Sequence, residues 1–209
     1  MVAVHPATGS ETVWAPGVTR KDIVPVGFVG RGAVVFKDDE YGNRVFLGRR
    51  DGSLGAMTGL VDAWGTSKSR HWVSGTTYAA DTYDEDRFVS GVFHAFTGDP
   101  LWTTPHLEAT PFSPDSEHLL GVDDAWDPYE LAVMDSATGQ RLGHVELVGD
   151  DGRRRLFAWD TYWEDDDHVL AVIEYRRTWS LLRLGVDGSV ELALPWERSD
   201  SPDLYLPNG

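Results

Sequence analysis

The 209-residue chain contains no cysteine. A disulfide scaffold and any cysteine-ligated zinc are therefore excluded. It has three methionines, and only three of its 18 basic residues are lysine. Asp outnumbers Glu 23 to 11, and this Asp- and Arg-rich, Lys-poor usage suggests a GC-rich genome. No apolar run approaches the roughly 18 residues that a membrane helix needs. The N-terminus lacks the basic segment followed by an apolar stretch that marks a signal peptide. The compartment stays open: the cytoplasm, or an extracytoplasmic domain cut from a longer protein. Basic residues are outnumbered by 34 acidic ones, for a net charge of −16. A phosphate backbone would be repelled on average, so a nucleic-acid partner is disfavoured.

Helical periodicity is also scarce. No window of 11 or more residues carries apolar positions at helical spacing without Gly or Pro. Nine tryptophans, 22 glycines and 11 prolines fit short strands with frequent turns. Runs of four to seven apolar or alternating residues recur between Gly, Pro and Asp clusters. They include Val24 to Val29, Ala33 to Phe36, Val89 to Phe93, Leu131 to Met134, Val169 to Ile173 and Trp179 to Leu184. This is an all-β pattern.

A repeat organises these runs. A strand, a Thr-Gly or Asp-Gly turn and a second strand recur around Gly9, Gly52, Gly98, Gly139 and Gly188, which are 43, 46, 41 and 49 residues apart. Gly supplies the positive φ of a tight hairpin. A hairpin recurring at this period in an all-β chain indicates propeller blades. Four strands, a to d, can be laid out in each period. In the clearest copy they are Leu107 to Phe112, His118 to Val122, Leu131 to Met134 and Arg141 to Leu147, with Ser113-Pro-Asp-Ser116 as the a–b turn. The next copy reads Leu156 to Trp159, Val169 to Glu174, Trp179 to Leu184 and Ser189 to Leu194.

The predicted fold class is an all-β propeller of about four and a half four-stranded antiparallel blades, in one segment over 1–209. An orphan c–d hairpin occupies 1–20. Blades follow at 21–58, 59–105, 106–149 and 150–195, and a polar, Pro-rich tail covers 196–209. The segment is an open fragment of a larger propeller or a small ring closed by its ends. An incomplete propeller would expose apolar sheet flanks and self-associate.

Phe112-Ser-Pro-Asp115, followed by Leu131-Ala-Val-Met-Asp-Ser-Ala-Thr-Gly139, resembles the broad WD-repeat-like and TolB-like β-propeller superfamily, over about Val2 to Leu194. Met134-Asp135 stands where a WD blade has Trp-Asp, so the His-Asp network of true WD blades is not supported. The resemblance implies a bacterial member that binds a protein, a small molecule or a carbohydrate through its loop-bearing faces.

Three b–c loops join acids to aromatics. They hold Asp38, Asp39 and Tyr41; Tyr83 and Asp84; and Asp123, Asp124, Trp126 and Tyr129. The fourth b–c loop, Tyr175 to Trp179, adds Arg176 and Trp179. Tyr and Trp favour interfaces, and these eleven residues are the candidate ligand-binding set. The basic run Arg153-Arg-Arg155 reads as local charge balance. The acidic run Asp160 to His168 could offer oxygens to Ca²⁺, but its spacing is not that of an EF-hand, and it reads as a solvated a–b turn. Trp14-Ala-Pro-Gly17 resembles a stretch of some five-bladed glycosidases, but Gly17 stands at the acid position. No nucleophile elbow, His-Glu-x-x-His or phosphate loop occurs. The chain is read as a non-catalytic binding or scaffold module without a cofactor, the alternative being the propeller part of a larger hydrolase or glycosidase acting on carbohydrate or peptide.

Overall fold

The computed structural model describes residues 2–4, 11–13, 23–30, 32–38, 44–67, 69–78, 88–123, 129–148 and 156–198. Among them there is no helix, and every regular element is a strand. The first two strands, β1 (Val2–Val4) and β2 (Glu11–Val13), form an antiparallel hairpin with Val2 opposite Val13. Its turn residue Gly9 lies outside the described residues.

Four meanders follow. Sheet I holds β3 (Ile23–Val29), β4 (Ala33–Asp38), β5 (Val45–Arg49) and β6 (Leu54–Ala56). Sheet II holds β7 (Asp62–Thr66), β8 (Trp72–Tyr78), β9 (Phe88–His94) and β10 (Pro100–Thr104). Sheet III holds β11 (Glu108–Phe112), β12 (His118–Val122), β13 (Glu130–Asp135) and β14 (Arg141–Glu146). Sheet IV holds β15 (Phe157–Trp163), β16 (His168–Tyr175), β17 (Thr178–Gly185) and β18 (Val190–Arg198). In each sheet the strands pair in chain order, a to d.

The same hydrogen bonds recur in every sheet. The residue after strand c donates to the carbonyl just before strand b, as Arg50 to Gly32, Ala95 to His71, Ser136 to Glu117 and Val186 to Asp167, at 2.9–3.3 Å. Each a–b pair carries a bulge: between Pro25 and Gly27, Ala63 and Gly65, Ala109 and Phe112, and Ala158 and Asp160. Four independent copies of such details mark one supersecondary unit repeated, not four unrelated hairpins.

The c–d turns match the glycine spacing. Gly52, Gly98, Gly139 and Gly188 have φ of 86°, 76°, 71° and 82°. Asp135 accepts the N–H groups of Ala137 and Thr138 at 3.1 and 2.8 Å and the Thr138 hydroxyl at 2.7 Å, which presets the turn before Gly139. Gly139→Ala should cost about 1 kcal/mol, because a Cβ is strained at this φ. An unchanged denaturation midpoint would contradict the register.

Two compact units result, Met1–Thr103 and Thr104–Gly209. In the first, Val35, Val45 and Leu47 of sheet I pack with Val73 and Phe93 of sheet II and with Leu60 of the connection between the sheets. In the second, Leu131 and Val133 of sheet III pack with Trp163, Val169, Ile173 and Leu184 of sheet IV. Strands b and c read as unbroken apolar runs because both of their faces are covered: Ala33 to Phe36 and Leu131 to Met134 are all buried. The outer strand β18 is exposed along its whole length, Val190, Leu192, Leu194 and Trp196 included.

Two boundaries differ from the sequence reading. Asp160 to Trp163 belong to β15, not to a loop; the a–b turn is only Glu164 to Asp167. An exposed edge strand needs backbone partners on one side alone, so a charged residue such as Asp160 is tolerated at its bulge. β18 also continues through Trp196 to Arg198, where a tail was expected, and includes Pro195. Pro is compatible with an edge strand, whose outer N–H positions face no ladder.

Turn aspartates set an acid response. Asp51 and Asp187 are held below the ordinary carboxylate range, first by the hydroxyls of Ser53 and Ser189 and then by the same residues' N–H groups. At Asp115, Asp135 and Asp165 partial burial pulls upward, and hydrogen bonds from Ser113, Thr138 and the Asp167 N–H lead the opposing effects, so these groups are lowered too. A depressed folded value means stability that is present above the unfolded value near 4 and is lost as pH falls through the folded values. The urea midpoint should therefore fall below about pH 4, and less steeply in Asp135→Asn. An identical slope in that variant would contradict the assignment.

Candidate functional site

Each sheet has its a–b and c–d turns at one end and its b–c and d–a connections at the other. In the unit formed by sheets I and II, a cavity of about 620 Å³ opens at the b–c and d–a end. Arg44 and the start of β5 (Val45 and Phe46), the segment from Ala56 to Val61 and the end of β8 (Thr77 and Tyr78) line it.

Local structure explains the shape. The Met57 N–H continues the β5–β6 ladder by donating to the Val45 carbonyl at 2.8 Å. Gly59, at φ 104°, then turns the chain, and the Val61 N–H donates to the Thr76 carbonyl at 2.8 Å. The Thr77 hydroxyl donates to the Gly59 carbonyl, which ties the connection to β8. Met57, Leu60 and Val61 turn inward, 7%, 4% and 7% exposed, while Arg44, Thr58 and Tyr78 stay exposed at the rim. The Tyr78 ring is braced by Phe88, with centroids 5.3 Å apart. The result is an apolar floor with one guanidinium, one phenol and two threonines around it.

Arg44 carries no ion pair among the described residues. Other cations do. Lys37 lies 3.2 Å from Asp62 and 4.5 Å from the centre of the Trp64 ring, Arg141 lies 2.6 Å from Glu130, and Arg183 bridges Glu164 and Glu191 at 2.5 and 3.1 Å.

Six of the eleven residues chosen from sequence, Asp39, Tyr41, Tyr83, Asp84, Asp124 and Trp126, lie outside the described residues, as do Trp14 to Gly17 and Arg153 to Arg155. Among the other five, Asp123 and Tyr129 meet within one loop. Asp38 ends β4, and its N–H donates to the Arg44 carbonyl at 3.1 Å. Asp123 is engaged within its own loop, accepting the N–H groups of Tyr129 and Glu130 at 2.9 and 2.8 Å. The Tyr129 ring sits 6.4 Å from Phe157. Arg176 is exposed over the Tyr175 ring at 5.5 Å.

Trp179 requires a correction. It is not a loop residue but lies in β17, 7% exposed, its ring 5.6 Å from that of Trp159. The fourth b–c loop is only the two residues Arg176 and Arg177, at φ 53° and 60°. A two-residue turn with both φ positive is the tightest hairpin connection, and it draws Trp179 into the sheet.

Glu164, Asp165 and His168 have ligand atoms within 4.8 Å of one another. These atoms are already engaged: Asp165 meets His168 Nδ1 at 2.9 Å, and Glu164 accepts from Arg183. The cluster closes the a–b turn of sheet IV.

No family model matches the chain, and no curated protein matches it. Solved structures do. The β-propeller domain of the Trilobed protease from Pyrococcus furiosus aligns with a TM-score of 0.54 at 12% identity, over 85% of this chain and 58% of that one. The fold is a β-propeller. A puromycin-hydrolysing peptidase of Mycobacterium tuberculosis aligns at 0.50 and 15% identity, over 93% of this chain and 35% of its own. TolB from Acinetobacter baumannii aligns at 0.49 and 14% identity, over 93% of this chain and 52% of its own. The propeller chain thus spans little more than half of each solved structure, or less. Among its described residues no helix is long and apolar enough to cross a membrane.

The cavity was not visible in the sequence. Its three segments are 10 or more residues apart.

Proposed function

We propose that this propeller is a non-catalytic binding or scaffold module that takes its ligand or protein partner at the b–c and d–a end of sheets I and II. The cavity over Met57, Leu60 and Val61 supports this reading. Its volume falls in the range of ligand pockets, about 300–1,000 Å³, and its apolar floor with a few polar rim groups has their composition.

The absence of cysteine permits a direct test. Thr58→Cys places one thiol at the cavity rim, and Arg50→Cys places one at the c–d turn of the same sheet. Peptides selected from a random dodecamer library on the parent chain should lose binding when the thiol of the Thr58→Cys variant carries a bulky polyethylene glycol. They should keep it when the thiol of the Arg50→Cys variant carries the same group. The reverse pattern would reject the assigned end.

A second reading, the propeller portion of a larger hydrolase, draws on two proteolytic enzymes among the aligned structures, each longer than this chain. A hydrolase domain encoded in the same reading frame decides in its favour.

A further inference from the structure

We infer that the cavity between sheets I and II takes a small amphiphilic carboxylate, with its apolar body over Met57 and Leu60 and its anion at Arg44. The inference rests on the binding end proposed above and adds the chemistry of the ligand.

Four observations carry it. The floor residues Val45, Met57, Leu60 and Val61 are all buried side chains, so the interior rewards an apolar body and offers little to a polyol. Sugar-binding surfaces need several paired polar groups, whereas the side-chain hydroxyl of Thr77 is already engaged with the Gly59 carbonyl. Arg44, the one cation in the lining, is exposed and has no carboxylate partner among the described residues. In a chain of net charge −16, an arginine left without such a partner beside an apolar cavity is a complement for an incoming anion. Its planar guanidinium suits a carboxylate, which it can grip with two parallel hydrogen bonds. About 620 Å³ holds a bicyclic or long-chain body but is small for a folded partner's surface.

This assignment departs from the acidic, aromatic b–c loop surface expected from sequence. The described part of the site has the opposite charge preference.

The test uses the full 209-residue chain and a matched pair of probes, 1-naphthaleneacetate and its neutral amide, in titration calorimetry. The anion should bind about tenfold more tightly than the amide, as expected for one charge-assisted contact. Arg44→Gln should bring that ratio close to one while leaving the amide's affinity unchanged. Ala56→Trp, which fills the cavity from an exposed lining position, should weaken both probes. Unaltered circular dichroism of each variant excludes misfolding as the cause. An undiminished ratio in Arg44→Gln, or no saturable binding of either probe at millimolar concentration, would overturn the assignment. A hexapeptide with a free C-terminal carboxylate that bound far more tightly than naphthaleneacetate would also overturn it, in favour of peptide ends. If the polyethylene glycol on Thr58→Cys still blocks the library peptides while the probes show no charge preference, the binding end stands and only the ligand chemistry fails.

Discussion

Replacing Trp163 with alanine should lower the unfolding free energy by about 3–5 kcal/mol, the usual range for a large buried aromatic. Trp163 is 5% exposed at the end of β15, in the cluster shared by sheets III and IV. Its indole N–H donates to the Pro111 carbonyl of sheet III at 3.0 Å. Its ring stacks on His118, the first residue of β12, at 6.4 Å between centroids. The His118 Nδ1 in turn lies 3.0 Å from the Asp166 carbonyl, and the Asp115 N–H donates to the Asp166 carboxylate at 2.9 Å. One side chain therefore anchors both the packing and the polar seam between two blades. Trp163→Phe keeps most of the apolar contact and loses the hydrogen bond, so its cost should be far smaller. Urea midpoints with an unchanged denaturant slope check both variants. Equal losses in the two would show that the Pro111 bond, not the packing, dominates.

A comparable effect is expected in the other unit, from adding volume. Gly75 lies in mid β8, opposite Ala63 on one side and Gly91 on the other. A Cβ built there would stand 2.2 Å from the Asp62 carbonyl oxygen and 2.7 Å from a Leu60 methyl. The first of these is backbone and cannot rotate away. Gly75→Val should cost about 3 kcal/mol through overpacking. It should also disturb the cavity, since Leu60 and Val61 line it and the Val61 N–H is bound to the next residue, Thr76. Near-normal stability in Gly75→Val would mean that β7 and β8 are not this closely apposed.

Features fixed by local chemistry were legible in the sequence. The turn glycines needed only a positive φ, and Ser113-Pro-Asp-Ser116 needed only its own side chains: the Ser113 hydroxyl donates to Asp115 at 2.6 Å and receives the His118 N–H at 3.0 Å. Strand b of sheet III begins and ends where its apolar run does, at His118 and Val122. What escaped depended on tertiary partners. Arg176-Arg177 has neither Gly nor Asn, so nothing local announced a two-residue turn with both φ positive. Asp160 to Trp163 read as a loop because charge there is permitted by the exposure of an edge strand, which the sequence does not display. The strand glycines Gly75 and Gly91 are needed for close approach to the carbonyls of Asp62 and Trp102, backbone groups that only the folded sheets bring near. The cavity joins segments from β5, the β6–β7 connection and β8, so its apolar floor reads in sequence as ordinary core.

Amide hydrogen exchange on the full chain, with and without 1-naphthaleneacetate, tests the central claim most directly: a propeller that binds at the b–c and d–a end of its first two four-stranded blades. Added protection should fall in segments 44–46, 56–61 and 76–78, which carry the approach to β5, the connection over Met57 and Leu60, and the end of β8. Protection at the opposite turns, 30–32 or 50–53, or across sheets III and IV instead, would contradict the account.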